Sequence, residues 1–111
     1  MSIRGYIYRT PMVNGKIDHD AIIPFPCGTK EKPRRRDDFM SYSSEEDLCR
    51  LIEDISRGSK DTFVINYDTM DRLKEKYQKG KDRKIINKYM KQLQFLDDIV
   101  KQYGQVYIEC Y

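Results

Sequence analysis

The stretch SSEEDLCRLIEDISRG at residues 43–58, followed by TFVINY at 62–67, decides the fold class. In the first part Leu48, Leu51, Ile52 and Ile55 recur at i, i+3, i+4 and i+7, which gathers them into one apolar stripe of a helix. Ser43 and Glu46 have the spacing of a capping box, and Glu45, Glu46 and Asp47 place negative charge at the positive end of the helix dipole. Arg57 and Gly58 supply a closing cation and a residue free to turn left-handed. In the second part Phe63, Val64 and Ile65 stand in succession, the composition of a buried strand. A helical period that gives way to a strand within a few residues predicts a mixed α and β protein.

Working toward the C-terminus, Asp68 is placed to cap a further helix that turns Met70, Leu73 and Tyr77 inward. Gly80 interrupts it, either as a kink or as a turn between two helices. From Asp82 an apolar stripe resumes through Ile86, Met90, Leu93, Leu96, Val100 and Tyr103, so residues 69–103 read as a helical hairpin or one kinked helix. Gly104 ends it, and Val106, Ile108 and Cys110 alternate with Tyr107, Glu109 and Tyr111 in a final strand.

Toward the N-terminus, Ile3 to Val13 begins as a strand, and Asn14-Gly15 is the dipeptide of a type I′ hairpin turn, with Lys16 to Phe25 as the returning strand. Residues 25–43, with Pro26, Gly28, Pro33 and a run of cations, read as a long basic surface loop. The element order is β-β-α-β-α-α-β. We therefore expect one α+β (or small α/β) domain over residues 1–111, with an N-terminal hairpin and a small three- to four-stranded mixed sheet covered by helices on one face. The strand at 62–67 and the final strand would be neighbours at the sheet centre, parallel if the crossover between them is right-handed.

At 111 residues the chain has room for one ordinary domain and none for a second catalytic one. No run approaches the ~18–20 apolar residues of a membrane span, and the first residues lack the pattern of a secretory signal, so a cytoplasmic location is expected. Cys27, Cys49 and Cys110 are widely spaced with no Cys-x-x-Cys pair. With His19 they form a nominal Cys3His set without the paired spacing of a structural zinc site, so reduced thiols and no metal are expected.

The formal charge of +3 conceals segregation. Residues 30–36 hold five cations and one anion, residues 37–54 one cation and seven anions, and residues 72–91 nine cations and two anions. The middle segment is therefore acidic and the flanking two are basic. Lys and Arg displace condensed counterions from a phosphate backbone, which makes the basic segments candidates for anion binding. The residues singled out are Lys30, Lys32, Arg34, Arg35 and Arg36 of the loop, and Lys76, Lys79, Lys81, Arg83, Lys84 and Lys88 of the helices. Tyr6, Tyr8 and Tyr42 would offer rings on which bases stack. The plain alternative for the helical cations is a solvated face, relieved by pairing with the acidic helix.

Catalytic residue types come close together only at Asp18-His19-Asp20, where a strand would put both carboxylates on one face, as a metal-dependent phosphodiesterase requires. Acidic residues on an edge strand also simply discourage aggregation. Cys27-Gly28-Thr29-Lys30 lacks the spacing of a phosphate loop, and no Ser-His-Asp set can be assembled. The leading expectation is thus a non-enzymatic module without a cofactor that contacts DNA, RNA or a nucleoprotein. A second is a protein inhibitor or accessory factor, of the small Lys- and Tyr-rich kind that phages and mobile elements encode, docking on a nucleic-acid-handling protein. A homodimer through the 82–103 helix is a further option.

Overall fold

The computed structural model describes residues 3–10, 18–59 and 62–111. Among the described residues seven strands and four α-helices follow one another: β1 (Arg4–Tyr8), β2 (Phe25–Gly28), β3 (Pro33–Arg36), β4 (Asp38–Ser41), α1 (Glu46–Ile55), β5 (Arg57–Ser59), β6 (Thr62–Asn66), α2 (Tyr67–Gln78), α3 (Arg83–Lys88), α4 (Met90–Tyr103) and β7 (Gln105–Cys110). The order of the main sheet is β4-β1-β7-β6-β5, antiparallel throughout, with β5 a short outer edge; β2 and β3 make a separate two-stranded ribbon. The mixed class and the helices on one face are as the sequence indicates.

The layering follows from the period of two along each strand. Ile7, Phe63, Ile65, Val106 and Ile108 turn to one face and join Leu48, Leu51, Ile52 and Ile55 of α1 with Leu93, Leu96 and Val100 of α4 in one core cluster. Gly5 belongs to that face because a β-carbon there would lie 2.9 Å from Met40 Cγ and 3.2 Å from Ile108 Cγ2. The strands β6 and β7 are central neighbours, as expected, but run antiparallel. A single crossover helix would have carried the chain to the far end of the sheet. Two antiparallel helical legs instead return it to the end where β6 stops, and Asn66 lies opposite Gln105.

Several local expectations are corrected. Of the returning strand at 16–25, the described part from Asp18 is a 3-10 turn at His19–Ala21 with a single bridge from Ile22 to Tyr8; Asn14-Gly15 lies outside the described residues. The segment 25–43 is no loop, since it forms the ribbon and β4 and buries Phe25, Phe39 and Met40. Pro26 and Pro33 are tolerated because each strand of a two-stranded ribbon has an unpaired edge, where a missing N–H costs nothing. Ser43 does not cap α1; its hydroxyl meets that of Ser41, and Glu45 takes the N-cap position. Helix α1 stops at Ile55, and Arg57-Gly58 begin β5 rather than closing the helix.

Asn66, not Asp68, caps α2: its side chain accepts from Thr69 N at 3.2 Å while Thr69 Oγ1 accepts from Asn66 N at 3.2 Å. Asn66→Ala should lower the stability by about 1 kcal/mol in urea denaturation, and an unchanged midpoint would show the cap to be idle. Gly80 lies in the turn between α2 and α3. The stripe from Ile86 to Tyr103 is not one helix. Tyr89, at φ −109° and ψ 28°, breaks it, and the re-phasing turns Tyr89 inward and leaves Met90 and Tyr103 exposed. Tyr77, expected inside, is also exposed.

Candidate anion-binding surface

The ribbon turns through Thr29–Lys32. Thr29 N donates to Lys32 O at 3.2 Å, and Lys32 N donates to Thr29 Oγ1 at 3.0 Å. Gly28 makes this closure possible: its φ is +118°, and a β-carbon would stand 2.5 Å from the Lys32 carbonyl oxygen. At the other end Phe25 fixes the ribbon to the body, its ring 5.9 Å edge-on from Phe39 and 5.3 Å from Phe95 of α4. After one residue, Asp37, the chain passes from β3 into β4.

The run of three arginines divides into two kinds. Arg36 points inward and is a structural residue: its Nε donates to Asp38 O (2.8 Å), its Nη2 to Phe39 O (2.8 Å) and to Glu45 Oε1 (2.8 Å), and its guanidinium lies over the Phe25 ring at 5.5 Å. Glu45 also accepts from Ser41 N at 3.1 Å and from the buried Gln92 Nε2 at 2.8 Å. This network ties the ribbon, β4, α1 and α4 together. Lys30, Lys32, Arg34 and Arg35 are exposed, and among the described residues none of them has an ion pair. Lys91 of α4 lines a groove with Phe25, Pro26 and Gly28, so the fold sets a helical cation beside the ribbon. Its place in the charged run gave no hint of that; only the packing of Phe25 on Phe95 does.

The helical cations are mostly engaged. Lys76 pairs with Asp54 and with Asp82 at 3.3 Å, Lys79 with Glu75 at 2.5 Å, and Lys88 with Asp47 at 3.2 Å. Arg83 donates to the Tyr77 and Gln78 carbonyls at the end of α2 and lies over the Tyr77 ring at 5.2 Å. The acidic helix therefore faces the basic ones through Lys76–Asp54 and Lys88–Asp47, the pairing that competes with an anion-binding role. Each such surface pair contributes no more than about 1 kcal/mol. Hydrogen bonds from Tyr89 and Lys88 hold the Asp47 carboxyl below its ordinary range. Lys81 and Lys84 are exposed without an ion pair among the described residues.

None of the three singled-out tyrosines is a free ring. Tyr6 stacks on Tyr111 (centroids 4.9 Å, 17° between planes), Tyr8 is buried with its hydroxyl 2.9 Å from that of Tyr111, and Tyr42 donates to Glu53. Strand pairing on both sides of β1 explains the first two. Cys49 and Cys110 lie in the core, where burial pushes the Cys49 thiol up to about 12. Asp18 and Asp20 do not share a strand face; Asp18 Oδ1 accepts from Asp20 N at 3.1 Å inside the 3-10 turn. Among the described residues no group of three or more His, Cys, Asp or Glu is placed to hold a metal ion. No helix among them is long and apolar enough to cross a membrane.

The chain matches no protein-family model, no curated protein and no solved structure.

Proposed function

We propose that the protein is a non-enzymatic cytoplasmic module that binds the phosphate backbone of DNA or RNA along the β2–β3 ribbon. The observation that carries this reading is the contrast between two sets of cations. Most on α2 and α3 are bound to carboxylates or carbonyls, whereas Lys30, Lys32, Arg34 and Arg35 are exposed with no ion pair among the described residues. Guanidinium forks match phosphate oxygens in two-point contacts, and a two-stranded ribbon is narrow enough to follow a groove. Edge-strand cations also prevent aggregation, so the salt dependence of binding is the measurement that matters.

Replacing Lys30, Lys32, Arg34 and Arg35 together by Ala should weaken binding to duplex DNA and reduce the slope of log K against log salt by roughly 3 to 4, at about 0.9 per phosphate contact. Unchanged affinity for both duplex DNA and single-stranded RNA at low salt would overturn the proposal. A second reading, an accessory factor that docks on a nucleic-acid-handling protein, is favoured by the groove between α2 and α4. There Tyr77 (39% exposed) and Met90 (46%) flank Met70, Leu73, Ile86 and Leu93. Under that reading a captured protein stays bound after nuclease treatment and is lost on Met90→Asp.

A further inference from the structure

The face of the main sheet that carries no helix has a character of its own. Register aligns Asp38, Tyr6, Glu109 and Thr62 in one row across four strands, and Tyr8, Tyr107 and Val64 in the next. Tyr111, 51% exposed, follows β7 and stacks on Tyr6. None of these side chains belongs to the core cluster. The solvated side of an antiparallel sheet ordinarily shows small and charged polar residues. Here Tyr6, Tyr107, Tyr111 and the buried Tyr8 are flanked by Asp37, Asp38 and Glu109; Arg4 shares this face, and Arg57 stands at its β5 edge in register with Val64.

The Glu109 carboxylate accepts a hydrogen bond from Thr62, and none of the three acids has an ion pair among the described residues. Burial, then Tyr111 and Asp38, raises the Tyr6 hydroxyl above its ordinary pKa, with Arg4 acting in the opposite direction. Ring faces attract cations through their quadrupole, guanidinium planes stack on them, and a nearby carboxylate receives the N–H fork. Phosphate is repelled by the same groups.

We propose that this helix-free sheet face docks an arginine- or lysine-bearing segment of a protein partner, with Tyr6 and Tyr111 against its cationic side chains and Asp38 and Glu109 accepting their hydrogen bonds. The proposal stands independently of the ribbon reading, because it uses the opposite charge on a different surface. Together they describe a molecule with one face for a polyanion and one for a basic protein.

The probe is a fluorescently labelled octa-arginine peptide, titrated by anisotropy at low salt. The wild type should bind it, and Asp38→Asn with Glu109→Gln should weaken binding about tenfold. Tyr111→Ala should do so comparably, while Tyr111→Phe, which keeps the ring, should not. Tyr111 is half-exposed, so its variants fold even if the double variant does not. Glu46→Gln with Glu75→Gln removes the same charge from exposed helix positions and should leave affinity within about twofold. Equal weakening by that pair would reduce the effect to net charge and overturn the proposal, as would full affinity in Tyr111→Ala. The ribbon quadruple variant should bind the peptide undiminished. If the wild type instead self-associates and the ribbon variant abolishes that, the occupant is a second copy and the proposed partner is wrong.

Discussion

Glu45→Ala is expected to lower the unfolding free energy by about 3 kcal/mol, a large fraction of what holds a domain of this size together. The side chain is 14% exposed and serves three donors at once: Arg36, the Ser41 backbone N–H and Gln92. Truncation leaves the Ser41 N–H unpaired and removes the counter-charge of Arg36, although Arg36 keeps its bonds to the Asp38 and Phe39 carbonyls. Glu45→Gln separates the contributions. Its oxygen can still serve Arg36 and Ser41, but its amide nitrogen then meets the Gln92 amide donor, so about half the loss is expected. Urea denaturation of the three proteins checks this, and equal midpoints for wild type and Glu45→Ala would show that the network contributes nothing.

Phe25→Ala is the second large effect, at about 3 kcal/mol, the low end for a buried phenylalanine because the ribbon can peel away rather than leave a cavity. Phe25 is 7% exposed and contacts Phe39, Phe95 and the Arg36 guanidinium. Loss of that anchor should also reduce DNA affinity, since cations on a detached ribbon must be ordered at the cost of binding. Phe25→Leu should recover most of the stability. Both substitutions act on Arg36, so the double variant should lose less than the sum of the singles, and strict additivity would mean that ring and carboxylate hold the ribbon separately.

These two residues also mark where the sequence was hardest to read. Helix α1 and strands β6 and β7 were legible because their apolar residues keep a clean period that burial demands. The ribbon was not, because Pro26, Pro33 and five cations in seven positions are the composition of a loop, and the anchors that make it structure, Phe25 and Phe39, bracket that run from outside. Glu45 was read as a dipole partner of its own helix, whereas its bonds reach β3, β4 and α4, contacts that no local pattern encodes. The break at Tyr89 was silent because Ile86, Met90 and Leu93 hold a continuous spacing whichever of Tyr89 and Met90 turns inward. Of the candidate site, the ribbon cations stand out in the sequence by composition alone, which does not distinguish the exposed Lys30, Lys32, Arg34 and Arg35 from Arg36, a residue of the scaffold. The pairing of Lys76 with Asp54 and Lys88 with Asp47 depends on how α1 meets α2 and α3.

The position of β7 between β1 and β6 bears on how the chain reaches its native state. β1 is flanked by β4 and β7, and Tyr8 and Tyr111, 103 positions apart, share a hydrogen bond. While the chain emerges from a ribosome, β1 and β6 each wait with an open edge for a strand made much later, and the halves of the sheet cannot join until it arrives. Folding should therefore be slow, with the sheet closing only once β7 is in place. Until then, the nascent chain has two unpaired edges for a chaperone to shield.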